Sequence, residues 1–353
     1  MEAKQLPLVS VILPVYNEQA LLRKNVQIIC AYLQSLESQF RWELLIVNDG
    51  SADDSGKIAD ELSGEYENLR TLHHPVNFGV GQALRFGFAN TLGDYVVTMD
   101  VDLSYDVHHI EEMVAKLCES HAKIVLASPY MAGGSINNVP MLRKVLSIMG
   151  NRFLRFFSQG SLSTLTSMVR VYDGPFVRSM DLRSMGLDLM PECLYKAMVL
   201  RAKIVETPGR LDWAPQLAFA DTRMSSMRIM SHVNSTVMSG FAFRPVYFFI
   251  LPGLLLAICS LYVIVWMFIH YFGAIQDLTN MGEEAVRMGA FAKAYADHPH
   301  TYVVGLLSTM LSVLLLGLGV LAVQIKRNFE EHYHLSSTSF RSLKDTMEYS
   351  SNE

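Results

Sequence analysis

Short apolar runs alternate with longer amphipathic stretches over the first part of the chain. The runs are rich in β-branched residues and end in turn-forming residues, a pattern typical of β-strands, while the stretches between them have helical spacing. The predicted strands cover residues 8–13, 43–48, 70–74, 95–99 and 123–128. Strands that alternate with helices favour β-α-β units, so we predict an α/β domain with a mostly parallel sheet flanked by helices.

Two uncharged apolar runs change the picture in the last third of the chain. Residues 245–275 and 301–325 contain no Asp, Glu, Lys or Arg. Each run exceeds the roughly 20 apolar residues that a helix needs to cross a bilayer. A buried helix hairpin in a soluble protein is the alternative, but Tyr and Trp near the ends of the runs favour two transmembrane helices.

The charges around these runs predict their orientation. Arg228 and Arg244 precede the first run, Lys326 and Arg327 follow the second, and four acidic and two basic residues lie between them. Lys and Arg concentrate in cytoplasmic loops, so both termini are predicted to be cytoplasmic. Residues 1–7 are short and polar and are not expected to be a signal peptide.

Six segments are therefore predicted along the chain. Residues 227–243 mix apolar residues with Ser, Asn and His, and they form either an interfacial helix that leads into the bilayer or an ordinary packed helix. The segments are a cytoplasmic α/β domain (1–225), an interfacial amphipathic helix (226–244), a first transmembrane helix (245–272), an extracytoplasmic loop (273–300), a second transmembrane helix (301–325) and a cytoplasmic tail (326–353).

Charge and cysteine content exclude several functions. The chain has 29 Lys and Arg against 34 Asp and Glu, a formal net charge of −5, so it offers no basic field for nucleic acid. Its four cysteines are scattered without metal-ligand spacing. This distribution fits reduced thiols better than disulfides or a zinc site.

Two carboxylates follow the fourth predicted strand. Asp100 and Asp102 are two residues apart, so in an extended chain their side chains point to the same side. Oxygen ligands of this kind suit Mg²⁺ or Mn²⁺ that also contacts a diphosphate. An isolated pair of this kind can also be simply the polar end of a strand. The neighbouring segments decide between a metal site and a strand end.

Polar segments follow several of the predicted strands. In open α/β sheets a ligand binds beyond the carboxyl ends of the strands, so we predict that these segments line one polar crevice. Helix N-caps and turn glycines can explain each segment by itself. They do not explain why such segments follow four successive strands. The segments are residues 14–18, 48–55, 77–81 and 100–102.

Four motifs in these segments carry a resemblance to a known family. The strings PVYNE, NDGSADDS, NFGVGQALRFGFANTLGD and MDVDLSYD occur in this order. They resemble the family 2 glycosyltransferases, which have the GT-A nucleotide-sugar fold with a Rossmann-like sheet. Within that family the chain is most similar to the polyprenyl-phosphate glycosyltransferases, such as dolichol-phosphate mannose synthases and bacterial enzymes with two C-terminal transmembrane helices.

The resemblance implies an activity and its partners. The activity would be inverting transfer of a single sugar from a UDP- or GDP-linked sugar to undecaprenyl or dolichyl phosphate, with Mg²⁺ or Mn²⁺, at the cytoplasmic face of a bacterial inner membrane. The Q-x-x-R-W string of processive relatives does not occur in the sequence, which favours addition of one sugar. The base, the sugar, the prenyl chain length and association into a homo-oligomer are left open.

The resemblance also assigns donor-side roles. Asp102 would bind the metal, and Asp100 would contact the ribose or sugar and share the metal. Asp49 would accept a hydrogen bond from the nucleobase, because a ring N–H suits an anionic acceptor. The other donor contacts would be Pro14 and Tyr16 beside the base, Glu18 at the ribose or phosphate, Gly79 and Gly81 where the backbone approaches the donor, and Arg85 as a phosphate contact or a structural residue.

Acceptor-side residues are expected on a later helix and the strand after it. Arg143, Ser147 and Asn151 recur every four residues, so they share one helical face. The resemblance implies that Arg143, Ser147 and Arg170 hold the lipid phosphate. Two guanidinium groups are suited to this role because arginine binds phosphate oxygens in pairs. The alternative is that both arginines are solvated surface residues. The arginines that the resemblance places near a diphosphate or membrane phosphate are Arg223 and Arg228.

Three positions depart from the family pattern. Ser104, Pro129 and Thr164 stand where many members have Gln, Arg and Asp, and these changes bear on the third metal ligand, the sugar and the acceptor. Two alternatives follow. One is a membrane-anchored, non-catalytic scaffold that binds a nucleotide sugar, and the other is a glycosyltransferase with a different lipid or glycan acceptor. The donor-side carboxylates favour an enzyme, because a scaffold does not need them.

Overall fold

The computed structural model describes residues 6–157, 162–214, 244–280 and 287–350. The chain divides into two compact units. One is formed by residues 1–240 with 332–353, and the other by residues 241–331.

Nine strands occur in the described residues. They are β1 (Leu8–Val15), β2 (Arg41–Asn48), β3 (Leu69–His73), β4 (Tyr95–Thr98), β5 (Ile124–Ser128), β6 (Ser135–Asn137), β7 (Arg170–Asp173), β8 (Ile204–Pro208) and β9 (Arg210–Asp212). Seven of them form one sheet in the order β3-β2-β1-β4-β7-β5-β8, and β6 pairs with β9 in a second, smaller sheet. Within the large sheet only β7 runs antiparallel to its neighbours, which confirms the predicted mostly parallel sheet.

The helices of the first unit connect these strands, and those of the second unit follow. In chain order the helices of the described residues are α1 (Leu22–Ser35), α2 (Ser55–Glu65), α3 (Val80–Asn90), α4 (His109–Ser120), α5 (Met141–Phe157), α6 (Gly174–Arg178), α7 (Leu189–Val199), α8 (Pro245–Asn280), α9 (Arg287–Asp297) and α10 (Pro299–Ser350).

The core of the first unit lies against the centre of the large sheet. Val11 and Ile12 of β1 point to opposite faces, and both are fully buried. A parallel sheet covered by helices on both faces needs apolar side chains on both sides of its strands, which explains the continuous apolar run. Leu22 and Ile29 lie two turns apart on α1 and are also fully buried, so the apolar side of this helix packs on the core.

The five strands predicted from apolar runs all occur, as β1 to β5. The prediction missed β7 and β8, which share the large sheet, as well as the short pair β6 and β9. β7 has four residues, RVYD, and its first residue is a buried arginine. A segment this short with a charged residue inside gives no alternating pattern, so hydrophobicity alone does not reveal it.

A buried histidine joins α4 to β9. His109 is fully buried; its Nδ1 donates to the carbonyl oxygen of Asp106 at 2.9 Å, and its Nε2 accepts from the backbone N–H of Arg210 at 3.0 Å. These partners fix a neutral ring with the proton on Nδ1. Burial lowers the pKa of His109, because the charged form would lose hydration.

Two helices of the second unit are long and apolar enough to cross a membrane, Pro245–Asn280 and Pro299–Ser336. Small residues let them approach: Ser312 Oγ donates to the carbonyl oxygen of Gly253 at 2.9 Å, and a Cβ on Gly319 would lie 2.5 Å from a side-chain carbon of Ile250. Such contacts are typical of paired helices in a bilayer. The connection between them contains a helix, α9, where the sequence predicted only a loop.

We expect the first unit to lose stability as the pH falls below about 6.5, the ordinary pKa of histidine. In this range His109 becomes protonated in the unfolded chain but stays neutral in the folded chain, where its pKa is lower. The unfolded state therefore binds more protons, and a lower pH favours unfolding. Denaturant unfolding of the detergent-solubilised protein should show a weaker pH dependence for His109→Gln than for the wild type. His121→Asn, at an exposed histidine, is the control, and an unchanged slope in His109→Gln would contradict the assignment.

Candidate functional site

Three acidic residues lie at the carboxyl edge of neighbouring parallel strands. β1 pairs in parallel with β2 and β4, so the segments that leave these strands share one edge of the sheet. Glu18 follows β1, Asp49 follows β2 and Asp100 follows β4. At the same edge Tyr16 is exposed and Pro14 is half-buried. The structure thus places these residues at one edge of the sheet, and their contact with a sugar donor stays a prediction.

Asp100, Asp102 and Glu18 form a carboxylate cluster within this edge. The pKa of Asp100 lies well above its usual range because its half-buried carboxyl loses hydration and because the charges of Asp102 and Glu18 oppose its ionisation. Asp102 accepts from the backbone N–H of Ser104 at 2.9 Å, and the backbone N–H of Glu18 donates to Ser55 Oγ at 2.8 Å. Local hydrogen bonds thus fix the segments that carry Asp102 and Glu18.

The chemistry of this cluster fits a hard divalent cation. Carboxylate oxygens are the ligands that Mg²⁺ and Mn²⁺ prefer, and a cation would relieve the repulsion around Asp100. In the described part of the chain no three His, Cys, Asp or Glu side chains are grouped as a ready metal site. Mg²⁺ sites are commonly completed by substrate phosphates rather than by protein alone, so Asp100 and Asp102 remain candidate ligands.

The carboxylate of Asp49 is engaged by the backbone of the turn that precedes α3. Its Oδ1 accepts from the backbone N–H of Phe78 at 3.0 Å and lies 2.8 Å from Nδ1 of His74, while its Oδ2 accepts from the backbone N–H of Gly79 at 2.8 Å. The buried carboxylate thereby fixes the turn before α3. This structural role was not foreseen from the sequence, and the predicted contact with a nucleobase stays a prediction.

The glycines of this turn let another segment of the protein approach. Gly79 has a φ of 98°, and a Cβ there would lie 2.6 Å from the carbonyl oxygen of Met185. A Cβ on Gly81 would lie 2.5 Å from the carbonyl oxygen of Gly186. Arg85 donates to the carbonyl oxygen of Arg183 at 3.0 Å. The close approach predicted for a donor is thus made, in this structure, by residues 183–186, and Arg85 has a structural partner.

Residues 183–186 are held in turn by a buried ion pair on α7. Glu192 accepts from the backbone N–H of Arg183 at 2.9 Å and of Ser184 at 2.8 Å, and it pairs with Lys196 at 2.5 Å. Burial opposes its ionisation, but the bonds from Lys196 and Ser184 outweigh burial and lower the pKa of Glu192. Lys196 Nζ also lies 5.3 Å from the ring centre of Tyr333 on α10. The i, i+4 spacing of Glu192 and Lys196 was the signal available in the sequence.

Arg170 departs most from its predicted role. The residue is fully buried, and its guanidinium donates to the carbonyl oxygens of Ser167 at 2.7 Å, Met190 at 2.8 Å and Leu165 at 2.8 Å. A guanidinium committed to three carbonyls inside the protein is poorly placed to bind a lipid phosphate. The structure therefore favours a structural role for Arg170, which ties the segment before β7 to α7.

The other acceptor-side residues surround this same segment. Asn151 Oδ1 accepts from the backbone N–H of Leu165 at 2.9 Å, and Glu206 accepts from the backbone N–H groups of Ser163 and Thr164. Ser147 Oγ lies 2.5 Å from the hydroxyl of Tyr130. Arg143 lies on α5, but its side chain is outside the described residues, as are Arg223 and Arg228. Their predicted phosphate contacts stay predictions.

Comparison with protein families finds one similarity in the first part of the chain. The family model "Glycosyl transferase family 2" matches residues 10–177. This range holds the carboxylate cluster, the glycine turn, most of β1 and the whole of β2 to β5 and β7. Residues 10–177 therefore match a family 2 glycosyltransferase domain.

Curated relatives match a little over half of the chain. The glycosyltransferase AglD of Haloferax volcanii is 26% identical over 65% of this chain and 36% of its own length. The dolichol-phosphate mannosyltransferase of Pyrococcus furiosus is 29% identical over 57% of this chain and 55% of its own length. The polyprenol monophosphomannose synthase of Mycolicibacterium smegmatis is 29% identical over 56% of this chain and 75% of its own length. The chain thus spans about a third to a half of the length of the first two relatives.

Solved structures resemble the chain more distantly. The mannosyl-3-phosphoglycerate synthase of Rubrobacter xylanophilus is 16% identical, covers 67% of this chain and 73% of its own, and superposes with a TM-score of 0.47. A similarity of this size supports no inference about ligands.

We predict that Arg170→Met destabilises the first unit by about 2 kcal/mol or more, because buried carbonyl groups lose their donors. The measurement is denaturant unfolding in detergent, with Lys24→Met, at an exposed position, as the control. If Arg170→Met is as stable as the wild type and instead raises the KM for polyprenyl phosphate, the phosphate clamp expected from the sequence would be right.

Proposed function

We propose that the chain transfers one sugar, with inversion, from a nucleotide diphosphosugar to a polyprenyl phosphate. The observation that carries this proposal is the carboxylate cluster of Glu18, Asp100 and Asp102 at the carboxyl edge of a family 2 glycosyltransferase sheet. Two helices that can cross a membrane follow this domain in the same chain. The relatives named for dolichol phosphate and polyprenol support a lipid phosphate as acceptor.

The donor would bind along the carboxyl edge of β1, β2 and β4. Tyr16 and Pro14 would flank the base, with Asp49 either accepting from it or holding the turn below it. Glu18 would reach the ribose or phosphate. Asp100 and Asp102 would hold Mg²⁺ or Mn²⁺, which supplies positive charge to the departing diphosphate when it is bound. Catalysis would then rest on positioning and charge stabilisation.

The acceptor needs little chemical activation. A phosphate monoester is largely ionised near neutral pH, since its second pKa is about 6, so an acceptor oxygen can attack without a general base. The protein's part is to hold the acceptor in line with the bond that breaks. The segment 162–169, which Asn151, Glu206 and Arg170 hold in place, and helix α5 are the elements we assign to this side. Arg143 is the proposed phosphate ligand, and Arg223 and Arg228 are proposed to contact phosphate groups.

The proposed location is a bacterial inner membrane, with the sugar-transfer domain in the cytoplasm. The two apolar helices would be the spans, residues 226–244 an interfacial helix, and residues 273–300 the part on the outer side. Positive charge at Arg244, Lys326 and Arg327 supports this orientation.

The topology predicts which positions an impermeant thiol reagent can reach in intact cells. Ala285→Cys should be labelled from outside, and Phe340→Cys should be labelled only after the membrane is opened. The parent protein, with its four native cysteines, sets the background. Labelling of position 340 in intact cells would refute the orientation.

We expect Asp102→Asn to lower sugar transfer by on the order of 10²-fold or more, because a charged group that supports the leaving diphosphate becomes neutral. The assay supplies membranes with radiolabelled UDP- and GDP-sugars, extracts the lipid and counts the label. Asp106→Asn is the matched control, since Asp106 is an exposed carboxylate of the same segment.

Each outcome of this assay has a meaning. Activity of Asp102→Asn within a few-fold of the wild type would remove Asp102 from the essential residues. Nucleotide release by the wild type without labelled lipid would favour a different acceptor. Binding of a nucleotide sugar without any release would favour the non-catalytic scaffold.

A further inference from the structure

Helix α5 exposes a row of apolar side chains. Met141, Val145 and Met149 are spaced by four residues, so they lie on one face of the helix. Their exposed fractions are 76%, 43% and 62%. Leu146 lies beside this row and is 36% exposed. This apolar face extends over roughly two and a half turns, and no described part of the first unit covers it. Packing within the unit therefore does not explain it.

The opposite face of α5 is the one that packs on the protein. Asn151 is only 3% exposed, and it bonds to the backbone of Leu165. It lies two residues after Met149, which at 3.6 residues per turn places it roughly 200° around the helix. The apolar row is therefore turned away from the packed side of the helix.

Positive charge lies along one edge of the row. Lys144 comes three residues after Met141, and Arg152 comes three residues after Met149, so both flank the row on the same side. The sequence of α5 contains four basic residues and no acidic one. Long basic side chains can keep their charge in a lipid headgroup layer while their carbon chains cover apolar surface.

We propose that the exposed face of α5 lies in the headgroup layer of a bilayer that contains anionic lipid. An apolar row with basic residues at its edge is the pattern of a helix that lies in the plane of a membrane surface. A protein partner would be expected to offer acidic groups to α5, whereas an anionic lipid surface satisfies the charge and the apolar row together. This contact is separate from the two apolar helices and does not depend on sugar transfer.

The test places an environment-sensitive fluorophore at Met149→Cys or Leu92→Cys in the full-length protein. Leu92 is the matched control, because it is apolar and 71% exposed but does not lie on α5. Both proteins are reconstituted in phosphatidylcholine vesicles with and without phosphatidylglycerol, and spin-labelled lipid is the quencher. We expect several-fold stronger lipid quenching at position 149 than at position 92, and stronger quenching when phosphatidylglycerol is present. Adding Lys144→Glu and Arg152→Glu should abolish the dependence on phosphatidylglycerol.

Two outcomes would overturn the proposal. Equal and weak lipid quenching at both positions would show that α5 stays in water. A fluorophore at position 149 that is shielded from aqueous iodide already in detergent, and is not quenched by spin-labelled lipid in vesicles, would show that protein covers the face, either another segment of the chain or a second copy.

Discussion

The parallel pairing of β1 with both β2 and β4 is the constraint on which the rest of the first unit depends. It places the segments that leave three strands at one edge of the sheet, and those segments carry Glu18, Asp49 and Asp100. Parallel pairing is possible only because helices connect the strands, and the helices bury both faces of the sheet. The acidic edge is thus a direct consequence of the sheet's connectivity.

The carboxylates at this edge are stabilised in different ways. Asp49 receives backbone N–H groups from Phe78 and Gly79, which compensate for its burial. Ionisation of Asp100 is disfavoured by loss of hydration and by the charges of Asp102 and Glu18, so its pKa is raised. A buried carboxylate with satisfied hydrogen bonds serves the fold, whereas one held beside like charges is unfavourable unless a ligand offsets them. The contrast identifies Asp100, rather than Asp49, as the carboxylate whose ionisation is unfavourable in the folded chain.

The sequence was sufficient for the parts that repeat a simple pattern. Runs of Val, Ile and Leu revealed β1 to β5, and two long uncharged runs revealed α8 and α10. It was insufficient where the fold depends on contacts between distant residues. Arg170 was expected at a phosphate because arginines bind phosphates, but it donates to three carbonyl oxygens, two in the segment before β7 and one on α7. Gly79 was expected near a ligand, and the neighbour that requires it is Met185. Neither fact leaves a local pattern.

The reversed direction of β7 has a consequence for how such a domain can vary. Because β7 is antiparallel, its first residue, Arg170, pairs with Thr98 at the end of β4. The segment that enters β7 therefore borders the carboxyl edge, whereas the parallel strands border it with the segments that leave them. Insertions or deletions in residues 162–169 can reshape that border while the register of β1, β2 and β4 stays fixed. The same sheet can thus combine fixed parallel strands, β1, β2 and β4, with a border segment, residues 162–169, that can change in length.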